Sequence, residues 1–278
     1  MSNDYSLVPK VYFLGAGPGD PELLTLKAHR ILNLADTVVY ADSLVPTQML
    51  QNTRVDALKV PTGHKTLEQI LPLMIEQVRQ GRSVVRLHSG DLTLYSAIHE
   101  QIMVLREANV AYELVPGISA FQAAAARLGA ELTVPELVQT SILTRIGGRA
   151  SPVPDTERLA ALASHRASLG LYLAARHVAQ AQTELLLHYP SETPVAVCFR
   201  VGWPDEKIWV VPLSEIAELT RREQLVRTTL YLVSPALDAA ELDLRSRLYD
   251  PEHTHLFRPR RKLTSDSSYS PLSAGTAG

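Results

Sequence analysis

Short runs of β-branched and aromatic residues alternate along the first half of the chain with stretches whose apolar residues recur at helical spacing. The runs VYFL (11–14), TVVY (37–40), VVRL (84–87) and YELV (112–115) read as strands, with helices expected over 21–34, 66–80 and 96–108. This alternation predicts βαβ units built around a parallel sheet. It breaks at LGAELTVPELV (128–138), after which new apolar runs follow at SILT (141–144), LGLYL (169–173), PVAVC (194–198), KIWVV (207–211) and TLYLV (229–233). Fewer helices separate these runs, chiefly 155–163, 177–188 and 212–223, so a second α/β domain with a mixed, partly antiparallel sheet is expected. The pattern thus divides the chain into a domain over 1–130, a second over 131–258, and a mobile tail over 259–278 that is basic and then rich in Ser, Gly and Ala.

At 278 residues and 46% hydrophobic, the chain is long enough to bury a full core. Its 27 basic and 29 acidic residues leave a net charge of −2, which speaks against nucleic-acid or membrane-surface attraction of the whole molecule. Any anion-binding surface must be local. The single cysteine, Cys198, excludes an internal disulfide, and its setting in PVAVC suits a buried strand position. The start MSNDYSLVPK lacks the apolar core of a signal peptide, and no run reaches the roughly 18 apolar residues of a membrane span, so a cytoplasmic location is expected. Nine histidines show no ligand spacing, and no metal site is expected.

Three strand-to-helix turns carry candidate chemistry. In KVYFLGAGPGDPELLTLKAHRIL (10–32), Gly15, Gly17 and Gly19 permit close approach of a ligand or positive φ, Asp20 is a plausible N-cap, and the turn's amides offer an anion site. The spacing G-x-G-P-G-D departs from the dinucleotide fingerprint G-x-G-x-x-G, and Pro18 removes an amide that a pyrophosphate would use. A tight turn without any ligand is the competing reading. In VVRLHSGDLTLYSAI (84–98), Asp91 either binds a ligand or caps the following helix. In ELVPGISAFQAAAARLG (113–129), Ser119 is a cap, a ligand contact or both, and the alanines allow close packing.

Taken in this order, the GAGPGD loop, the SGDL turn and the PGIS turn closely resemble the S-adenosylmethionine-dependent tetrapyrrole methyltransferases. That resemblance implies two α/β domains with the active-site cleft between them, and a homodimer. Further segments, YADSLV (40–45), LTVPELVQT (132–140), ILTRIGGRASPVP (142–154), WPDEKI (203–208) and RSRLYDPEHTHLFR (245–258), narrow it to the branch that methylates C11 of precorrin-4 or its cobalt complex on the route to cobalamin. Carried over by motif, the donor-binding residues are Pro18, Gly90, Asp91, Leu92, Ser119, Ala120, Leu173, Ala196 and Thr229. Leu92 stands where the family commonly has proline, and Ser119-Ala120 replaces a Thr-Ser pair. Without the resemblance, Leu173, Ala196 and Thr229 read as core.

Methyl transfer from a sulfonium is an in-line displacement in which positioning supplies much of the acceleration. A reduced tetrapyrrole has carbons already made nucleophilic by its nitrogens, so the protein needs to orient it and help remove a proton. Asp91, His88 and Asp20 are the candidate proton carriers, each with a binding role as the alternative. The substrate's acetate and propionate groups require cationic or amide partners: the glycine loop, and Arg145 and Arg149 flanking Gly-Gly, with solvated basic residues as the competing reading. His64, Arg86, Arg200, Lys207 and His255 are weaker candidates. The rival functions are methylation of another ring position, for example on uroporphyrinogen III, and a nucleotide-binding oxidoreductase.

Overall fold

The computed structural model describes residues 6–147 and 152–241, together with Ser246, His253, Thr254 and Arg258. Arg149, His255 and the segment 259–278 lie outside the described residues. Residues 6–241 belong to one compact unit, and every feature below lies within it.

The first sheet has the order β3-β2-β4-β1-β5 and is parallel throughout. Its strands are β1 (Val11–Gly15), β2 (Thr37–Tyr40), β3 (Leu58–Pro61), β4 (Val84–His88) and β5 (Tyr112–Val115). Strands β1 and β4 are buried along their whole length, which is why they read as unbroken apolar runs rather than as alternating ones. Strand β3 escaped the pattern because it is a partly exposed edge of only four residues, LKVP, ending in a proline that an edge tolerates. Helix α1 (Leu26–Leu34) packs on one face of the sheet, while α2 (Leu67–Arg79) and α3 (Ile98–Glu107) pack on the other.

Where a single helix over 21–34 is expected, the structure has a 3₁₀ turn at Pro21–Leu23, an extended Leu24, and then α1. Asp20 does cap, but it caps the 3₁₀ turn, accepting from the Glu22 amide at 3.0 Å. Thr25 starts the helix proper, its hydroxyl accepting from the Ala28 amide at 3.2 Å.

The second sheet, β6-β7-β10-β8-β9, is mixed as its sequence predicts. Strands β6 (Ser141–Arg145) and β7 (Ser168–Tyr172) run parallel, and β8 (Pro194–Phe199), β9 (Lys207–Pro212) and β10 (Thr229–Val233) join by antiparallel pairings. Helices α5 (Leu159–Ala163), α6 (Val178–Leu185) and α7 (Ile216–Arg222) bury one face. The other face is covered by α4 (Ala120–Arg127), which belongs to the first half of the sequence: Ala123 and Ala124 pack against Ala196, Cys198, Leu230 and Leu232. Its alanines allow that close approach. Residues 128–140 contain neither strand nor helix and lead from α4 to β6. No helix among the described residues is long and apolar enough to cross a membrane.

Candidate active site

Strands β1, β4 and β5 are neighbours, so the three glycine-containing turns that follow them meet at the carboxyl end of the sheet. The chain leaves β1 toward β2 on one side and leaves β4 toward β5 on the other, which makes the β1/β4 junction the crevice where open α/β sheets take ligands. The turns are fused rather than merely adjacent. A Cβ on Gly15 would lie 2.5 Å from the Gly117 nitrogen and 2.7 Å from the Gly90 carbonyl oxygen. The Ala16 amide donates to the His88 carbonyl at 2.7 Å, and Gly17 and Gly90 exchange amide-to-carbonyl bonds of 3.2 and 2.7 Å. With Pro18 lacking an amide, the first three residues after β1 have no N–H left for a pyrophosphate or carboxylate. Gly17 is required by its conformation, φ +73°, and Gly19 by Trp203, whose ring a Cβ would meet at 2.5 Å.

Asp91 is the knot of this junction. One carboxylate oxygen accepts from the Thr93 amide at 2.9 Å and from the Thr93 hydroxyl, while the other accepts from the Gly117 amide at 3.0 Å. Partial burial works to raise this carboxyl, but the bonds from Thr93, Gly117 and Leu92 prevail and hold it below the ordinary carboxylate range. Asp91 does not cap the next helix, which begins only at Ile98. The loop between them holds Tyr95 and Ala97 in the left-handed region, φ 56° and 50°. Such strain in residues with side chains is retained where surrounding structure fixes a site.

A cavity of about 640 Å³ opens beside the junction, within the roughly 300–1,000 Å³ typical of small-molecule sites. Pro18, Gly90, Asp91, Ser119, Ala120, Leu173 and Thr229 all line it. Leu92 and Ala196 do not: Leu92 is 2% exposed among the residues under α2 and α3, and Ala196 is fully buried beneath α4. Leu173, which reads as core, is 66% exposed, because it follows the end of β7 with φ 56° and turns outward. Ser119 both opens α4, its amide donating to the Gln122 side chain at 3.0 Å, and ties the two halves together through a 2.8 Å hydroxyl contact with Tyr172.

Other expected residues sit elsewhere. Gly15, Gly17, Gly19 and Asp20 are not on the cavity wall. The Asp20 carboxylate faces Arg127 at 3.6 Å. Arg145, last in β6, directs its guanidinium to the carbonyls of Ile146 and Pro152, at 3.4 and 3.2 Å. Cys198 is buried as expected, and burial together with Glu206 pushes its thiol up to about 12. The β8–β9 turn, 200–206, includes the start of WPDEKI and meets the glycine loop through Trp203 beside Gly19; Gln48 donates to the carbonyls of Gly19 (2.7 Å) and Gly202 (3.4 Å), and the Arg200 guanidinium stacks over Trp203 at 4.6 Å. On the cavity wall, Gln101, Tyr172, Arg176 and His177 have no motif to mark them, and Tyr95 lies within VVRLHSGDLTLYSAI without being singled out there. The described residues contain no group of three or more His, Cys, Asp or Glu placed to hold a metal.

His88 is 6% exposed, stacked on Phe13 at 6.1 Å, and its Nε2 has no partner. Burial and the nearby Arg86 charge depress it from 6.5 to about 3. The folded protein therefore holds the imidazole neutral through the range where the unfolded chain protonates it. The stability this contributes is complete above about pH 6.5 and declines as the pH falls toward 3, by up to about 1.4 kcal/mol per unit. Denaturant titrations at about pH 7.5 and 5 should show a larger loss for the parent protein than for His88→Leu. Equal losses would mean His88 already protonates in the fold.

The family model for Tetrapyrrole (Corrin/Porphyrin) Methylases matches residues 10–217. The chain belongs to this family. As a tetrapyrrole methylase it is 46% identical over 249 residues to the precorrin-4 C(11)-methyltransferase of Pseudomonas aeruginosa, covering 90% of this chain and 98% of that one. It is 40% identical to the cobalt-precorrin-4 C(11)-methyltransferase of Priestia megaterium, covering 90% and 97%. In fold it is similar to the X-ray structure of a cobalt precorrin-4 methyltransferase, with TM-score 0.80 and 39% identity over 83% of this chain and 96% of that one. It is also similar to a uroporphyrin-III C-methyl transferase from Thermus thermophilus complexed with S-adenosylhomocysteine, with TM-score 0.69 and 28% identity over 83% and 94%.

Proposed function

We propose that this tetrapyrrole methylase transfers a methyl group from S-adenosylmethionine to C11 of precorrin-4, or of its cobalt complex, in cobalamin biosynthesis. The carrying observation is that seven residues assigned to donor binding by motif line one cavity, beside a glycine turn whose first three residues offer a pyrophosphate no amide. When bound there, the donor supplies an activated methyl group that needs no metal. What the chain supplies is placement. Gly90 and Asp91 form one wall, Ser119 and Ala120 another, and Tyr172, Leu173 and Thr229 close the side formed by the second sheet.

Asp91, with its carboxylate already engaged by Thr93 and Gly117, acts as a holder of the site rather than as a proton acceptor. His88, held neutral down to about pH 3 by burial and the Arg86 charge, is too weak a base for that task, so both residues act in binding and placement. The resemblance extends this reading to a cytoplasmic homodimer. Purified protein given S-adenosylmethionine and precorrin-4 should yield a product heavier by one methyl, with an isotope-labelled donor placing it at C11. Methylation of uroporphyrinogen III with none of precorrin-4 would overturn the assignment.

A further inference from the structure

Arg86 and His88 lie two residues apart on β4, so their side chains leave the sheet on the same face. Both line the cavity, at 5% and 6% exposure. A guanidinium offers five N–H donors. Arg86 directs one to the Thr62 hydroxyl at 3.0 Å and another, longer, to the Gln101 carboxamide oxygen at 3.4 Å. Among the described residues no carboxylate pairs with it. Glu100 and Asp91 share the cavity wall, but Asp91 is committed to Thr93 and Gly117. Beside it stands the unpartnered Nε2 of His88.

A buried cation without a counter-charge, next to a buried polar atom without a partner, is costly in folding. Fully buried arginines are rare unless paired; Arg86 has two donors engaged by neutral side chains and no carboxylate partner among the described residues. Burial alone lowers it to about 10, and its charge in turn helps keep His88 neutral. Phe13 lies under His88, and Ala41, Leu44 and Leu67 add apolar area to the cavity wall. A planar fork of donors at 5% exposure matches the two oxygens of a carboxylate, and burial strengthens such a charged hydrogen bond.

We propose that Arg86, supported by His88 and Gln101, forms a buried subsite for one carboxylate of a bound reactant. This rests on the methyltransferase reading, in which that carboxylate belongs either to an acidic side chain of the tetrapyrrole or to the amino-acid end of the methyl donor. The test is Arg86→Met, which keeps the length and apolar packing but removes the charge and the donor fork. The KM for precorrin-4, or the Kd for S-adenosylhomocysteine by calorimetry, should rise about ten- to a hundredfold, while Tm stays level or increases because a buried unpaired charge is gone. Movement of the tetrapyrrole KM alone identifies its side chain as the ligand; movement of the S-adenosylhomocysteine Kd identifies the donor.

A lower Tm with both affinities unchanged would make Arg86 structural and overturn the subsite. If Arg86→Met does not fold, Arg86→Lys, which keeps the charge without the fork, decides in its place: a raised KM or Kd supports the subsite, and unchanged values overturn it. A parent protein that leaves precorrin-4 unmethylated overturns the functional reading and the subsite together. Normal turnover by parent and variant alike overturns only the subsite.

Discussion

A single methyl group added at Gly15, as Gly15→Ala, is expected to remove a large part of the folded protein's stability margin and all measurable binding of S-adenosylhomocysteine. The new Cβ would stand 2.5 Å from the Gly117 nitrogen and 2.7 Å from both the Gly117 Cα and the Gly90 carbonyl oxygen. All three are main-chain atoms at strand ends, so no rotamer change relieves the clash and two turns must move apart. Overpacking typically costs about 1–3 kcal/mol when side chains can adjust, and rigid backbone places this case at about 3 or more. Against a total of roughly 5–15 kcal/mol for a folded domain, Tm should fall steeply. Gly81→Ala is the reference: it meets nothing within 4 Å and carries only the penalty of φ +78°, about 1–2 kcal/mol. A Gly15→Ala protein with the parent's Tm and affinity would mean the three turns are not locked together.

Asp91→Ala should weaken S-adenosylhomocysteine binding by at least about tenfold, with turnover falling in parallel. Its carboxylate joins the turn after β4 to the turn after β5 through the Thr93 and Gly117 amides, and a hydrogen bond to a charged group contributes about 1.5–3 kcal/mol. Loss of those bonds frees Gly117 and with it the approach to Ser119. Asp91→Asn, which keeps one acceptor oxygen, should fall between the two proteins. Titration calorimetry of both variants, read beside their Tm, separates the roles. Lower Tm with unchanged affinity would reduce Asp91 to a structural cross-link.

Nine of the strands were legible because burial on both faces, or on one, imposes an apolar pattern that a short window captures. Strand β3 was not, since an exposed edge imposes none. The stretch 21–34 divides because it has two N-caps five residues apart: Asp20, followed by proline, governs only the 3₁₀ turn, and Thr25, which the sequence reading did not single out, starts the helix. Glycines at 15, 17 and 19 were visible, and the positive φ expected of such a turn holds at Gly17 and Gly19, but the partners that crowd Gly15 and Gly19 were not. Gly15 is needed because of Gly117, and Gly19 because of Trp203, partners far away in the chain. The spent amides of Ala16 and Gly17 were equally invisible, since the carbonyls that use them come from the end of β4. The cavity's far wall, with Tyr172, Arg176 and His177, depends on how the second sheet meets the first, and a local pattern contains no such information.

Helix α4 has a consequence for how this family can be recombined. Its alanines shield Ala196, Cys198, Leu230 and Leu232, although the pattern of the chain breaks only after it. A crossover between relatives at that visible break would separate a sheet from the lid of its own core. The natural unit of exchange for the second sheet therefore begins upstream of Ala120, and carries Ser119 and its end of the cavity wall along with it.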